Sequence, residues 1–216
     1  MKEILVATTN PAKLAEYRLL LSAYALEPIS LADAGIREHP EETAATFAGN
    51  ALIKARFYFA RAGIATIADD GGLEIDALGG EPGVRSHRWL GGASEDSDAA
   101  LVAEVMRRME GVEDARRGAR LRAAAALAWR DGLEMCERVV EGTIEGVIAR
   151  QPWSEIKPGF PYRAVLYLPE RGCYLGELGE NRAAQLSQRR KTVELLADEL
   201  RRIAGLRQDP APRTRE

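Results

Sequence analysis

Two cysteines, two histidines and 6% aromatic residues leave this 216-residue chain poor in several kinds of chemistry. Cys136 and Cys173 lie far apart and form no CxxC pair, which argues against a structural zinc site or a redox dithiol and makes a reducing cytoplasm the expected compartment. With only His39 and His87 there is no HExxH string, and neither GxSxG nor GxxxxGK[ST] occurs, so zincin, serine-hydrolase and P-loop chemistry lose support. Long apolar runs are missing too. Ile4 to Ala7 is too short for a secretory core and nothing approaches the ~20 apolar residues that span a bilayer, so a soluble, unexported protein without a membrane partner is expected. Neither charge sign dominates: 30 Lys+Arg against 33 Asp+Glu gives a net charge of -3, unsuited to wrapping duplex nucleic acid, although anions can still be met locally. What remains, 46% hydrophobic and 29% charged residues, suits one globular core or two small lobes sharing one, and excludes collagenous, disordered and disulfide-scaffold classes.

Glu3 to Thr8 reads as a buried strand, because Ile4, Leu5, Val6 and Ala7 run together before polar Thr8, Thr9 and Asn10. Asn10 suits a helix N-cap and Pro11 the first helical position, with Leu14, Tyr17, Leu21 and Tyr24 at helical spacing. A second helix is predicted over Thr46 to Ala62, with Gly63 as its stop. Ile64 to Ala68 reads as a strand ending at Asp69-Asp70-Gly71-Gly72. The breakers Gly79, Gly80, Pro82, Gly83, Gly91 and Gly92 then suggest loops folded around a ligand. Ser97 can cap a third helix ending at Gly111. Leu121 to Trp129 fits helix by its alanines and strand by its burial, and strand is preferred. Val139 to Ile148 and Val165 to Leu168 read as strands, and Ser187 to Ile203 as one final helix. The chain reads as one domain over 1–206 with a frayed 207–216 tail, without repeats or separating linkers.

Two constellations stand out. Thr8-Thr9-Asn10 with Lys13 places a strand end against a helix N-terminus, whose free N–H groups and dipole favour an anion, although Asn10 as a plain cap and Lys13 as a solvated cation is the bland alternative. Asp69-Asp70 puts two adjacent carboxylates before two glycines, where they repel unless a cation intervenes; Mg²⁺ bound to phosphate is the natural one, and a solvated turn the alternative. Glu41-Glu42 offers a third carboxylate and Lys54 a further phosphate partner, while His87 and Arg88 read as surface residues.

The runs LVATTNPAKLAEY, EETAATFAGNALIKA and IADDGGLEIDALGGEPGVRSHR resemble the inosine/xanthosine triphosphate pyrophosphatase family, the Ham1-like house-cleaning nucleotide hydrolases, whose pattern is approximately ATxNxxK, ETGxTFxENAxxKA and ADDSGLxxxxLGGxPGxxSxR. The resemblance implies an α/β fold, a long twisted mixed sheet with flanking helices and two lobes around a central cleft, in a homodimer. It further implies that Thr8, Thr9, Asn10 and Lys13 hold a nucleoside triphosphate, that Lys54 and Gly71 assist, and that Glu42, Asp69 and Asp70 position Mg²⁺, with Asp70 as the catalytic base. The reaction would be attack of water at the α-phosphorus, releasing nucleoside monophosphate and pyrophosphate.

The C-terminal third departs from the pattern. The family's GFGYDP loop, which helps form the base pocket, stands as Gly159-Phe160-Pro161-Tyr162-Arg163-Ala164, so Phe160 and Tyr162 persist while Asp is replaced by Arg. The SHR motif that meets the purine's 6-oxo edge stands as Ser187-Gln188-Arg189, and a family Lys falls on Ala183, next to Arg182. Ala44 replaces the Gly of ETG, Gly49 the Glu of ENA and Gly71 the Ser of DDSG. A Gln amide both donates and accepts, so relaxed or altered base preference is expected. The runner-up reading is a catalytically weakened nucleotide-binding or regulatory protein on the same fold.

Overall fold

A computed structural model describes residues 1–91 and 95–206; the expected frayed tail, 207–216, and Gly92 lie outside them. Seven strands form one open mixed sheet in the order β2-β1-β3-β4-β5-β6-β7. They are β1 (Lys2–Val6), β2 (Leu26–Ile29), β3 (Thr66–Ile75), β4 (Gly118–Asp131), β5 (Glu134–Ile148), β6 (Leu166–Leu168) and β7 (Cys173–Tyr174). The β1 strand pairs in parallel with β2 and β3, and every other pairing is antiparallel. Among the described residues, six α-helices flank the sheet: α1 (Pro11–Leu21), α2 (Phe47–Ala62), α3 (Asp98–Arg108), α4 (Glu180–Leu186), α5 (Gln188–Leu195) and α6 (Ala197–Ala204). No helix among the described residues is long and apolar enough to cross a membrane.

The helix ends follow from local chemistry. Asn10 Oδ1 accepts from the N–H groups of Ala12 and Lys13 at 2.9 and 3.2 Å, and Thr46 Oγ1 accepts from Gly49 N at 3.1 Å. Gly63 closes α2 in the left-handed region at φ 68°, open to glycine without strain. At the start of α3, Ser97 accepts from Ala100 N, while the helix ends at Met109, short of Gly111.

The long strands β3, β4 and β5 carry the sheet through both lobes. On one face of their β1 end, Ile67, Ala125, Leu127 and Trp129 pack with Tyr17, Leu21, Val193, Leu196 and Leu200. On the other, Ala124, Ala126 and Ala128 meet Phe47, Ala51, Ala55 and Tyr58 of α2. Ala124, Ala126 and Ala128, three of the alanines that make this stretch ambiguous as sequence, are therefore the small side of a strand buried on both faces, and their size lets α2 approach; Ala126→Leu would overpack it at a cost of about 1–3 kcal/mol. At the far end Leu73, Ile75, Leu121 and Ile148 pack with α3 and the 162–168 segment, forming the second lobe.

Two expectations need correction, and three elements are new. The β3 strand does not stop at Ala68 but runs through Asp69, Asp70, Gly71 and Gly72, because Gly71 and Gly72 permit close approach: a Cβ at Gly71 would overlap the Arg122 carbonyl, and one at Gly72 the Ser86 side chain. The final helix breaks at Leu196, whose N–H is shared between the carbonyls of Thr192 and Val193; the bend brings Leu196, Leu200 and Ile203 into one core with Val193. The short strands β2 and β7 and the helix α4 were not expected at all.

Candidate active site

A cleft of about 1050 Å³ opens beyond the carboxyl end of β1 and is lined by Thr8, Thr9, Asn10, Lys13, Glu42, Lys54, Asp69, Asp70 and Gly71 among others. A small side pocket shares Lys13 and Gly71 with it and continues to Phe160, Tyr162, Gln188 and Arg189. Among the residues expected to contact substrate or metal, Ser187 stays away from both, as does Glu41 of the Glu41-Glu42 pair. Ser187 is fully buried, its hydroxyl accepting from Arg190 N and donating to the Ala184 carbonyl at the start of α5, a cap rather than a ligand contact.

The two adjacent aspartates, expected to repel at a strand's end unless a cation intervenes, lie within β3 and do not face each other. Successive side chains of a strand point to opposite faces, so each meets its own partners. Asp69 lies 2% exposed beneath α1 and α5, with Oδ2 2.8 Å from Arg189 Nε and Oδ1 3.4 Å from Lys13 Nζ. Burial alone would raise its carboxyl, but Lys13 and Arg189 outweigh this and hold it well below the usual range. Asp70 faces α2, where Asn50 Nδ2 donates to its Oδ2 at 3.1 Å and Lys54 Nζ lies 3.7 Å from Oδ1. Its burial pushes the carboxyl up, opposed by Lys54 and Lys13, as suits a base. Lys54 also bonds Glu42 Oε2 at 2.8 Å, so two carboxylates flank one ammonium.

The helix N-terminus corrects the expectation of free N–H groups. Pro11 has none, Ala12 and Lys13 are capped by the Asn10 side chain, and Leu14 N donates to the Asn10 carbonyl. An anion here meets Lys13 and the threonines rather than a bare helix end. Lys13 itself is no solvated cation: it is 9% exposed, and burial lowers its pKa despite Asp69. Asn10 Nδ2 donates to the Gly159 carbonyl at 3.1 Å, and Gly159 N donates to Asp98 at 2.7 Å, tying the 157–164 loop to both lobes. Gly159 has φ 78°, and a Cβ there would lie 2.7 Å from Asn10 Oδ1, so only glycine fits.

Two residues, Asn50 and Glu16, escaped the sequence reading, and two more, Arg163 and His87, were named without the places they take. Asn50 holds Asp70 while its Oδ1 accepts from Ala44 N at 2.9 Å. Glu16, one turn beyond Lys13 on the same helix face, accepts from Arg163 at 2.8 Å and Arg189 at 3.3 Å, a pattern legible only once the arginines are known to be buried. Arg163 was noted as a substitution but not as a buried ion-pair partner. His87 lines both the cleft and the side pocket, burial lowering its pKa, rather than lying on the surface. Arg182, beside the missing family Lys, is exposed.

Comparison with known proteins fits this geometry. The Ham1 family model matches residues 4–199. A dITP/XTP pyrophosphatase of Geobacillus kaustophilus is 40% identical over 205 residues, 95% of this chain and 97% of that protein. One of Thermus thermophilus is 38% identical, covering 91% and 90%. A HAM1 protein structure from Coxiella burnetii superposes with a TM-score of 0.77 at 34% identity, covering 93% of this chain and 98% of that one. With three motif blocks in order, a shared sheet and a match along nearly its whole length, the chain belongs to the Ham1 family.

Proposed function

We propose that this protein is a nucleoside triphosphate pyrophosphohydrolase that cleaves deaminated purine nucleoside triphosphates between the α- and β-phosphates, with relaxed or altered base preference. The observation that carries the reading is the trio Glu42, Asp70 and Lys54 at the cleft wall: two carboxylates on one ammonium leave a net charge of about -1 beside Lys13. The relatives named dITP/XTP pyrophosphatase supply the substrate class.

The donor set suits Mg²⁺. Mg²⁺ takes one or two carboxylates and fills its remaining positions with phosphate oxygens and water, and no group of three or more His, Cys, Asp or Glu side chains able to hold a metal exists among the described residues. Glu42 and Asp70 would hold the ion, which would neutralise the triphosphate oxygens. Asp69 we assign to the buried ion pairs rather than to the metal, because its oxygens face Arg189 and Lys13.

Lys13, Thr8 and Thr9 then bind the phosphates, with Asn10 holding the turn that presents them, and Lys54, released from its carboxylates, joins them. The Asp70 carboxylate, fixed by Asn50, orients a water and takes its proton as the water oxygen bonds to the α-phosphorus and the bond to the bridging oxygen breaks. Pyrophosphate leaves with the bonding electrons. The same proposal includes a cytoplasmic homodimer acting on free nucleotides without nucleic acid. Pyrophosphate release, measured over a panel of ordinary and deaminated triphosphates with and without Mg²⁺, tests it; metal-independent turnover would contradict it.

A further inference from the structure

The side pocket holds a charge surplus opposite in sign to that at Glu42 and Asp70. From Arg163 the ion pairs run through Glu16 at 2.8 Å, Arg189 at 3.3 Å from Glu16, and Asp69 at 2.8 Å from Arg189, to Lys13 at 3.4 Å from Asp69. Three cations thus share two carboxylates, every member 9% exposed or less. Lys13, Arg163 and Arg189 line the side pocket, and no carboxylate does. The Arg163 guanidinium carbon lies 3.8 Å from the centre of the Phe160 ring, and Arg189 flanks that ring at 5.2 Å. Gln188, 4% exposed, lines the same pocket with a buried Oε1 that has no hydrogen-bond partner. The pocket therefore offers an aromatic ring, an acceptor wanting an N–H donor, and an unbalanced positive charge.

We propose that Arg163 makes this protein select a purine base that carries negative charge, the ionised xanthine ring, over the neutral hypoxanthine ring. The inference rests on the nucleotide reading above and deepens it. Xanthine and hypoxanthine share the 6-oxo group and the neighbouring N1–H, so Gln188 Oε1 accepts from either and does not separate them. They differ at C2, where the second carbonyl of xanthine acidifies the ring so that it is largely anionic near neutral pH. That anion meets the Arg163 and Arg189 guanidinium groups in a poorly hydrated pocket that no carboxylate lines, where one unit of charge counts for far more than in water. The family pattern has an Asp and a Lys at the positions of Arg163 and Ala183, which sum to zero, whereas Arg and Ala leave one extra positive charge. The side pocket is about 30 Å³ as it stands, smaller than a purine ring, so a base enters only as the pocket widens.

The test is calorimetric binding of xanthosine and inosine monophosphates to the intact protein without metal. Xanthosine monophosphate is expected to bind about tenfold or more tightly at neutral pH. Arg163→Gln should bring the ratio close to one and Arg163→Lys should keep most of it, whereas mere loss of stability weakens both ligands alike. Should Arg163→Gln not fold, the wild type decides: acidifying until xanthine regains its proton must collapse the ratio. The titratable and charged groups that line the pocket, Lys13, His87, Tyr162, Arg163 and Arg189, and the carboxylates of Glu16 and Asp69 paired behind them, act on both nucleotides, and protonation of His87 adds positive charge, opposing the collapse. Equal affinities at neutral pH, or a ratio that survives Arg163→Gln or acidification, would overturn the proposal. Failure to bind either monophosphate would overturn the nucleotide reading beneath it.

Discussion

Adjacent residues of the same type do opposite work here. Asp70 is a carboxylate kept in a half-dry site that raises its pKa, so its ionised form costs stability at neutral pH. Asp70→Asn should therefore lower kcat by ~10²- to 10⁴-fold, keep nucleotide binding, and leave the Tm unchanged or raise it by a few degrees. Kinetics and thermal melts on the same preparation check this; a variant with more than about a tenth of wild-type kcat removes Asp70 from the base role. Asp69 has its folded pKa depressed, so its stabilisation is present above the unfolded pKa of ~3.9 and is lost as pH falls through the folded value. Asp69→Asn should cost ~3–5 kcal/mol at neutral pH by leaving Lys13 and Arg189 short of an anion. Denaturant titrations should show that gap closing only below about pH 4, and a gap independent of pH would contradict the ion-pair account.

At the scale of elements, what was legible in sequence was whatever local chemistry decides. Asn10-Pro11, Thr46 with Gly63, and Ser97 marked real helix starts or stops, because caps act within one turn. The break at Leu196, the short strands β2 and β7 and the continuation of β3 through Asp69-Asp70 were not legible, since tertiary contacts set them. Of the site, Thr8, Thr9, Asn10, Lys13, Lys54, Asp69 and Asp70 were named from their motifs, and the fold brings them to one cleft. Asn50, Glu16 and the burial of Arg163 were not, because their roles exist only between elements. Two departures from the family pattern prove to be one. A Cβ on Gly49 would lie 2.5 Å from the Ala44 Cβ, so the methyl gained at Ala44 occupies the place vacated at Gly49. Gly49→Ala in the third position of α2 should therefore destabilise, although Gly to Ala within a helix ordinarily gains ~1 kcal/mol. In an Ala44→Gly background the same change should stabilise. A double-mutant cycle by denaturant unfolding reads the coupling, expected at ~1–2 kcal/mol; additivity would contradict the steric pairing.

Across the whole molecule, the sheet that runs through both lobes holds one cleft with opposite charge surpluses at its two ends, negative at Glu42 and Asp70 and positive at Lys13, Arg163 and Arg189. In the proposed reaction a metal ion would sit at the first and phosphates would bridge toward the second, which would orient a nucleotide along the cleft. The Gly159 clamp to Asn10 and Asp98 fixes the distance between the ends. The central claim is that water attacks the α-phosphorus. Its most direct measurement is product analysis after turnover of inosine triphosphate with Mg²⁺ in ¹⁸O-labelled water. The account predicts monophosphate and pyrophosphate with the label in the monophosphate; nucleoside diphosphate with orthophosphate, label in the pyrophosphate, or binding without turnover would contradict it.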